Sequence, residues 1–258
     1  MTGSAAVTTM GTTERAGAWL VLPTYNEAYN LEPIVDAIRR QPGRPARILV
    51  VDDASPDGTG EIADGLAAAH ADVSVLHRPR KEGLGPAYVA GFREALAGGA
   101  ELVAQMDADF SHDPSDLPRL LAAVGDADLA LGSRYVQGGG VEEWGPVRRF
   151  VSRGGCAYAR TLLGVSVHDL TGGFKVFRRE VLEAIDLGSI SASGYAFQVE
   201  TTYRAIRAGF RVVELPITFR DRRVGESKMS KRIVLEAAWR VPAMRRATLP
   251  DKTKRVAP

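Results

Sequence analysis

The chain of 258 residues contains a single cysteine, Cys156, so no intrachain disulfide can form. That excludes the disulfide-stapled secreted domains, and Cys156 reads as a small buried apolar residue rather than a nucleophile. Long hydrophobic runs are also missing. Stretches such as Trp19 to Leu22 and Ile48 to Val51 fall far short of the roughly 20 residues that cross a bilayer as a helix. No internal repeat or low-complexity tract is present, which removes solenoid and disordered-array architectures. The histidines are few and scattered: His70, His77, His112 and His168 show no metal-ligand spacing and read as structural or surface residues. Met1 to Gly17 lacks the basic and apolar segments of a secretory signal and reads as a flexible leader.

What is present is ordinary globular composition, 45% hydrophobic and 25% charged, enough to bury a full core. The net charge of +2 hides an asymmetry. Arg204 to Pro258 carries 15 Lys and Arg against 5 Asp and Glu, a net +10, and leaves −8 for the preceding residues. A basic C-terminal segment follows an acidic body.

Short apolar runs alternate with helical patterns. Ala18 to Leu22, Arg47 to Val51, Val73 to His77, Leu102 to Met106 and Asp128 to Leu131 read as strands. Helices are expected at Leu31 to Arg40, Gly58 to His70 and Ala87 to Ala97, then at Arg148 to Leu163 and Gln198 to Ala208. Two short strands around Pro216 and a last helix from Lys228 to Arg246 follow. The alternation predicts an α/β fold with a mainly parallel central sheet, in which ligands bind beyond the carboxyl ends of the strands.

Polar clusters stand at those ends. Asp107 and Asp109, two residues apart after an apolar strand, have the oxygen chemistry that Mg²⁺ or Mn²⁺ prefers. The plainer alternative is a helix cap before Pro114. Asp52 and Asp53 can accept hydrogen bonds from a ribose or a base, while Ser55-Pro56-Asp57-Gly58 is turn chemistry in its own right. Arg148, Arg149 and Arg153 fit either a phosphate site or a solvated helix face. Asp169 and Thr171 fit a sugar pocket or an Asx or ST turn, Gln198 and Glu200 fit orientation of the sugar or of the loop arginines, and Glu200 also fits a buried arginine's partner. The last helix, 228–246, is basic and amphipathic, suited to an anionic bilayer surface or to packing on the core.

Taken together, Pro23-Thr24-Tyr25-Asn26-Glu27, Val50 to Thr59, Met106 to Pro114, Gly132-Ser133-Arg134-Tyr135, Asp169 to Lys175, Phe197-Gln198-Val199-Glu200 and Arg222 to Lys228 resemble the inverting family 2 glycosyltransferases. Within them they resemble the polyprenol (dolichol) phosphate mannose synthases. The resemblance spans residues 18 to 240. It implies a single GT-A, Rossmann-like domain at 18–247, with a nucleotide- and metal-binding half at 18–135 and an acceptor half at 136–247, ahead of a flexible tail at 248–258. It further implies mannosyl transfer from GDP-mannose to a polyprenyl monophosphate, with the same fold on UDP-glucose or another sugar nucleotide as the alternative.

Residue by residue, the resemblance assigns Pro23, Tyr25, Glu27, Asp52 or Asp53, and backbone at Ala108 to the nucleotide. Asp107 and Asp109 fall on the metal-binding acids; Arg134, Arg222 and Lys228 are candidate cations for stabilising the leaving diphosphate, with a helix N-cap at Ser227 followed by a surface lysine as the plainer reading of Lys228. Arg148 and Ser152 fall on positions that bind the acceptor phosphate. Ser111 stands where some relatives have glutamine, which leaves the third protein ligand open. A polyprenyl monophosphate has a second pKa of about 6 and is largely a dianion at neutral pH, so it needs no strong general base. The resemblance implies a peripheral protein at the cytoplasmic membrane face and allows a separate membrane-anchoring protein as partner. A nucleic-acid role for the basic segment is not expected, because it lacks aromatic interleaving or a recognition-helix pattern.

Overall fold

The computed structural model describes residues 14–190, 194–221 and 240–246. Among them runs a seven-stranded sheet in the order β3-β2-β1-β4-β7-β5-β8, where β1 is Arg15–Thr24, β2 Pro45–Asp52, β3 Val73–His77, β4 Leu102–Gln105, β5 Leu129–Ser133, β7 Lys175–Arg178 and β8 Val212–Pro216. All neighbours are parallel except β7, which lies antiparallel between β4 and β5. A short parallel pair, β6 (Gly140–Val141) with β9 (Thr218–Phe219), stands apart.

The helices follow from side-chain periodicity. In α1 (Leu31–Arg39) the apolar residues Leu31, Ile34, Val35 and Ile38 recur at helical spacing and all four are buried. α2 (Thr59–Ala69) starts after Gly58, whose φ of 90° favours a residue without a Cβ. Then come α3 (Leu84–Ala97), α4 (Leu117–Ala123), α5 (Pro146–Leu163), α6 (Arg179–Ala184) and α7 (Gly194–Arg207). Alternate residues of β1 feed opposite cores: Leu20 and Leu22 pack with α1, Val21 with α3. Each such fully buried aliphatic side chain contributes about 1.5–3 kcal/mol. Gly91 lets α3 lie directly on the sheet, since a Cβ there would collide with Val21.

The mainly parallel GT-A-like α/β sheet is as expected, with three differences. β1 begins at Arg15, three residues inside the expected leader. The strands β6 and β7 and helix α6 were not expected from the pattern, whereas the helical segment after Pro114 was, with Asp113 capping its start by accepting from the Ser115 amide at 2.9 Å. A four-residue strand that starts with a lysine, as β7 does, carries no apolar run. Of the expected final helix, only 240–246 lies within the described residues. There Val241 and Met244 are buried in the core shared with α5, and Arg245 donates to the Leu162 carbonyl at 2.9 Å. That last turn packs on the domain.

Candidate active site

Beyond the carboxyl ends of β1, β2 and β4 opens a cavity of about 430 Å³. The loops that follow these three strands each hold one non-glycine residue in the left-handed region: Asn26 (φ 58°), Ala54 (φ 58°) and Phe110 (φ 61°). Such backbone costs about 1–3 kcal/mol per residue and clusters where loops are shaped for a ligand.

The nucleotide-side residues are brought together. Pro23, Tyr25, Glu27, Asp53, Asp107, Ala108 and Asp109 all border the cavity. Lys81, which the sequence reading did not single out, places its ammonium 3.5 Å from the centre of the Tyr25 ring and borders the cavity with Glu82 and Gly83. The strand-end rule that drew attention to Asp52 and Asp107 applies equally to the loop after β3, and would have found it. The two adjacent aspartates separate in role. Asp53 accepts from the Glu82 amide at 3.1 Å, from the Gly83 amide at 2.7 Å and from Arg78, so it ties down the Lys81 loop. Asp52 is buried outside the cavity lining and accepts from the Ser55 amide at 3.2 Å, the turn role.

Asp107 accepts from the Tyr88 hydroxyl at 3.0 Å, and the Asp109 carboxylate accepts from the Ser111 amide at 3.0 Å. Burial, with Asp107 adding to it, pushes the Tyr88 phenol well above its usual range. The Ser111 hydroxyl is buried without a hydrogen-bond partner and borders the cavity. Two carboxylates and this hydroxyl form a hard-oxygen donor set that fits Mg²⁺ or Mn²⁺. No group of three or more His, Cys, Asp or Glu suited to a metal occurs among the described residues.

Of the two readings offered for His112, structural or surface, the structure has the structural one, at the edge of the cavity. The ring is buried and stacked on Phe174 with centroids 5.0 Å apart. Its Nδ1 accepts from the Asp107 amide at 3.2 Å, which leaves the proton of a neutral ring on Nε2. Burial lowers its pKa, opposed by Asp107 and Asp109.

Across the cavity, Arg134 is held rather than free. Its Nε and Nη2 donate to the two Asp169 oxygens at 2.7 and 2.6 Å, and Nη2 also reaches Thr171 Oγ1 at 2.7 Å. Burial acts to lower the Arg134 pKa and to raise that of Asp169, but their mutual attraction prevails and shifts each the other way. Cys156 contacts the same group, and burial, then Asp169, lifts its thiol to about 11, so it is no nucleophile at neutral pH. Asp169 thus serves Arg134 from outside the cavity lining, while Arg134 and Thr171 border the cavity.

Arg148 also borders the cavity, stacks 4.1 Å from the Trp144 ring and donates to Asp221 at 2.8 Å. Ser152 sits one turn further along α5 and accepts from the Tyr135 hydroxyl at 2.6 Å, with neither residue lining the cavity. Gln198 borders the cavity from α7, whereas Glu200 pairs with Arg204 one turn on, the plainer of its expected roles. Below Gln198 lies Lys175, fully buried, whose pKa burial lowers to about 7 against the pull of Asp169. Arg222 and Lys228 lie outside the described residues.

The model of the family described as Glycosyl transferase family 2 matches residues 19–186. A polyprenol monophosphomannose synthase from Mycolicibacterium smegmatis is 52% identical over 225 residues, covering 86% of this chain and 84% of that protein. An undecaprenyl-phosphate mannosyltransferase from Micrococcus luteus is 50% identical over 221 residues, covering 86% and 90%. In fold, the chain is similar to glucosyl-3-phosphoglycerate synthase from Mycobacterium tuberculosis in complex with phosphoglyceric acid (TM-score 0.64, 22% identity, 91% of this chain and 81% of that one). It is also similar to a mannosyltransferase from Pyrobaculum calidifontis in complex with GDP-Man and Mn²⁺ (TM-score 0.55, 18% identity, 89% and 72%). The chain therefore belongs to glycosyl transferase family 2, on its polyprenyl-phosphate mannosyltransferase branch.

Proposed function

We propose that the protein transfers mannose from GDP-mannose to a polyprenyl monophosphate with inversion at the sugar carbon. The observation that carries this reading is the convergence on one cavity of Asp107 and Asp109, the Tyr25–Lys81 pair and Arg148, in a chain about half identical to a polyprenol monophosphomannose synthase and an undecaprenyl-phosphate mannosyltransferase. Tyr25, Glu27 and Lys81 suit a nucleobase and ribose. Asp107 and Asp109 would hold a divalent ion, with Ser111 Oγ as a further oxygen, and that ion, when bound, neutralises charge on the diphosphate. Arg148 would exchange its half-buried partner Asp221 for the acceptor phosphate, stabilised on Trp144 throughout. An acceptor phosphate oxygen then bonds to the anomeric carbon as the bond to the diphosphate breaks, and GDP departs with the electron pair. The dianionic acceptor carries no proton that must be removed first, so catalysis rests on positioning and electrostatics.

Membrane association is supported by α5 rather than by the described part of the final helix. Val147, Phe150, Val151 and Tyr158 are 74%, 80%, 36% and 45% exposed on α5, whose sequence holds four arginines and no acid. That face suits an anionic bilayer surface. No helix among the described residues is long and apolar enough to cross a membrane.

Incubation with labelled GDP-mannose, Mg²⁺ or Mn²⁺ and a polyprenyl phosphate in detergent should yield an acid-labile lipid-linked mannose. Absence of that product under conditions where GDP-mannose binds would reject the reading. Phe150→Ser should weaken sedimentation with phosphatidylglycerol vesicles, and unchanged binding would remove α5 as the contact face.

A further inference from the structure

Lys175 is an odd residue for the middle of a sheet: it starts β7, is fully buried, and carries one of the most strongly hydrated side chains. Its Nζ donates to the Gln198 carbonyl at 2.8 Å, to Gln198 Oε1 at 2.9 Å and to Thr201 Oγ1 at 3.2 Å. Gln105 is its register partner on β4. The Gln105 amide nitrogen donates to the Gly173 carbonyl at 2.8 Å and to Gln198 Oε1 at 2.7 Å.

These contacts fix every direction. A backbone carbonyl only accepts, so the Gln105 atom facing Gly173 is the NH₂. The same Gln105 NH₂ also faces the Gln198 side chain at 2.7 Å, so the Gln198 atom between Lys175 and Gln105 is the oxygen. Gln198 Nε2 is thereby turned away from both. It has no hydrogen-bond partner among the described residues, and Gln198 borders the cavity. A point just off Gly173 Cα, where a Cβ would stand, lies 3.5 Å from this nitrogen, 3.7 Å from Asp107 Oδ2 and 3.4 Å from His112 Cε1. The free N–H₂ therefore lies in the neighbourhood of Asp107.

We propose that Lys175 and Gln105 are positioning residues. Together they lock the Gln198 amide so that it presents N–H, not C=O, to an oxygen of the bound sugar nucleotide beside Asp107. The inference rests on the cavity being the donor site. With the amide reversed, a carbonyl would face the same region, where it offers nothing to a substrate oxygen and opposes the carboxylate.

A double-mutant cycle in steady-state transfer, with the sugar nucleotide varied, tests it. Gln198→Leu should lower kcat/KM for the donor about 100-fold, the scale of losing one aimed donor. Gln198→Glu, which keeps an oxygen for Lys175 but lacks the N–H₂, should lose as much. Lys175→Met should cost about tenfold, and Lys175→Met/Gln198→Leu should be no worse than Gln198→Leu alone, because the lysine acts through the glutamine. The KM for polyprenyl phosphate should not move. Weaker inhibition of Gln198→Leu by GDP would locate the contact on the diphosphate, and unchanged inhibition would locate it on the sugar; either agrees with the proposal. Full activity in Lys175→Met or Gln198→Glu, or losses that multiply in the double variant, would overturn it. Should Lys175→Met not fold, Gln105→Leu completes the same cycle from the other donor. Inactive wild-type protein would sink the donor-site reading instead, so the two failures are distinguishable.

Discussion

The cavity is walled on one side by the ends of β1, β2 and β4 and on the other by the segment from Gly132 to Asp221, and the two walls hold their charges differently. On the first, neutral donors reach each carboxylate: the Tyr88 hydroxyl at Asp107, the Ser111 amide at Asp109, and two backbone amides at Asp53, which also pairs with Arg78. Neutral donors orient a carboxylate and leave its charge in place for a cation. On the second, arginines are matched with acids, Arg134 with Asp169 and Arg148 with Asp221, and stacked on Tyr135 or Trp144. Ion pairs arranged this way cancel charge until a competing anion arrives. The first wall is thus suited to gather a metal and a diphosphate. On the second, burial separates a fixed pair from an exchangeable one: the Arg134–Asp169 side chains are 4% and 0% exposed, the Arg148–Asp221 side chains 23% and 35%.

The largest expected effect breaks the first wall. Asp109→Ala should reduce kcat at least about 1,000-fold with little change in melting temperature, because it removes charge that acts on the diphosphate. Near-normal turnover in that variant would defeat the metal assignment. On the second wall, Arg134→Met should instead cost stability, about 3–5 kcal/mol by chemical denaturation, because it strands the buried Asp169 carboxylate. A variant as stable as the wild type would show that the pair is not structural.

Arg148→Ala sharpens the contrast within that wall. The acceptor KM should rise about tenfold or more, the value of a charge-assisted hydrogen bond, while the donor KM stays. A last test is a pH slope. Lys175 has an ordinary pKa of 10.5, lowered to about 7 by burial. Between those values the unfolded chain holds a proton that the native state has released, so stability should rise as pH climbs from about 7 toward 10. Denaturation midpoints at both ends of that window should diverge for the wild type more than for Lys175→Met. Equal slopes would place the lysine in an environment other than the one described.

Much of the first wall was legible in sequence. Parallel strands buried on both faces write continuous apolar runs, and polar residues at their ends stand out, as Tyr25, Asp53, Asp107 and Asp109 did. Lys81 was equally legible by that rule and was passed over. The second wall was less so, because its pairings are tertiary. Arg134 meets Asp169 across 35 residues and Arg148 meets Asp221 across 73, with no local signal for either. The burial of His112 beside the cavity and of Lys175 in the sheet could not be read, because lone polar residues carry no period. β7 was hidden for the same reason, since its buried lysine breaks the pattern that marks a core strand.

The most direct measurement offers the protein a panel of sugar nucleotides together, with Mg²⁺ and a polyprenyl phosphate, and identifies the lipid product's sugar and anomeric configuration by NMR. The account predicts β-linked mannose drawn from GDP-mannose alone. Glucose from UDP-glucose, or an α-linked mannose, would contradict it.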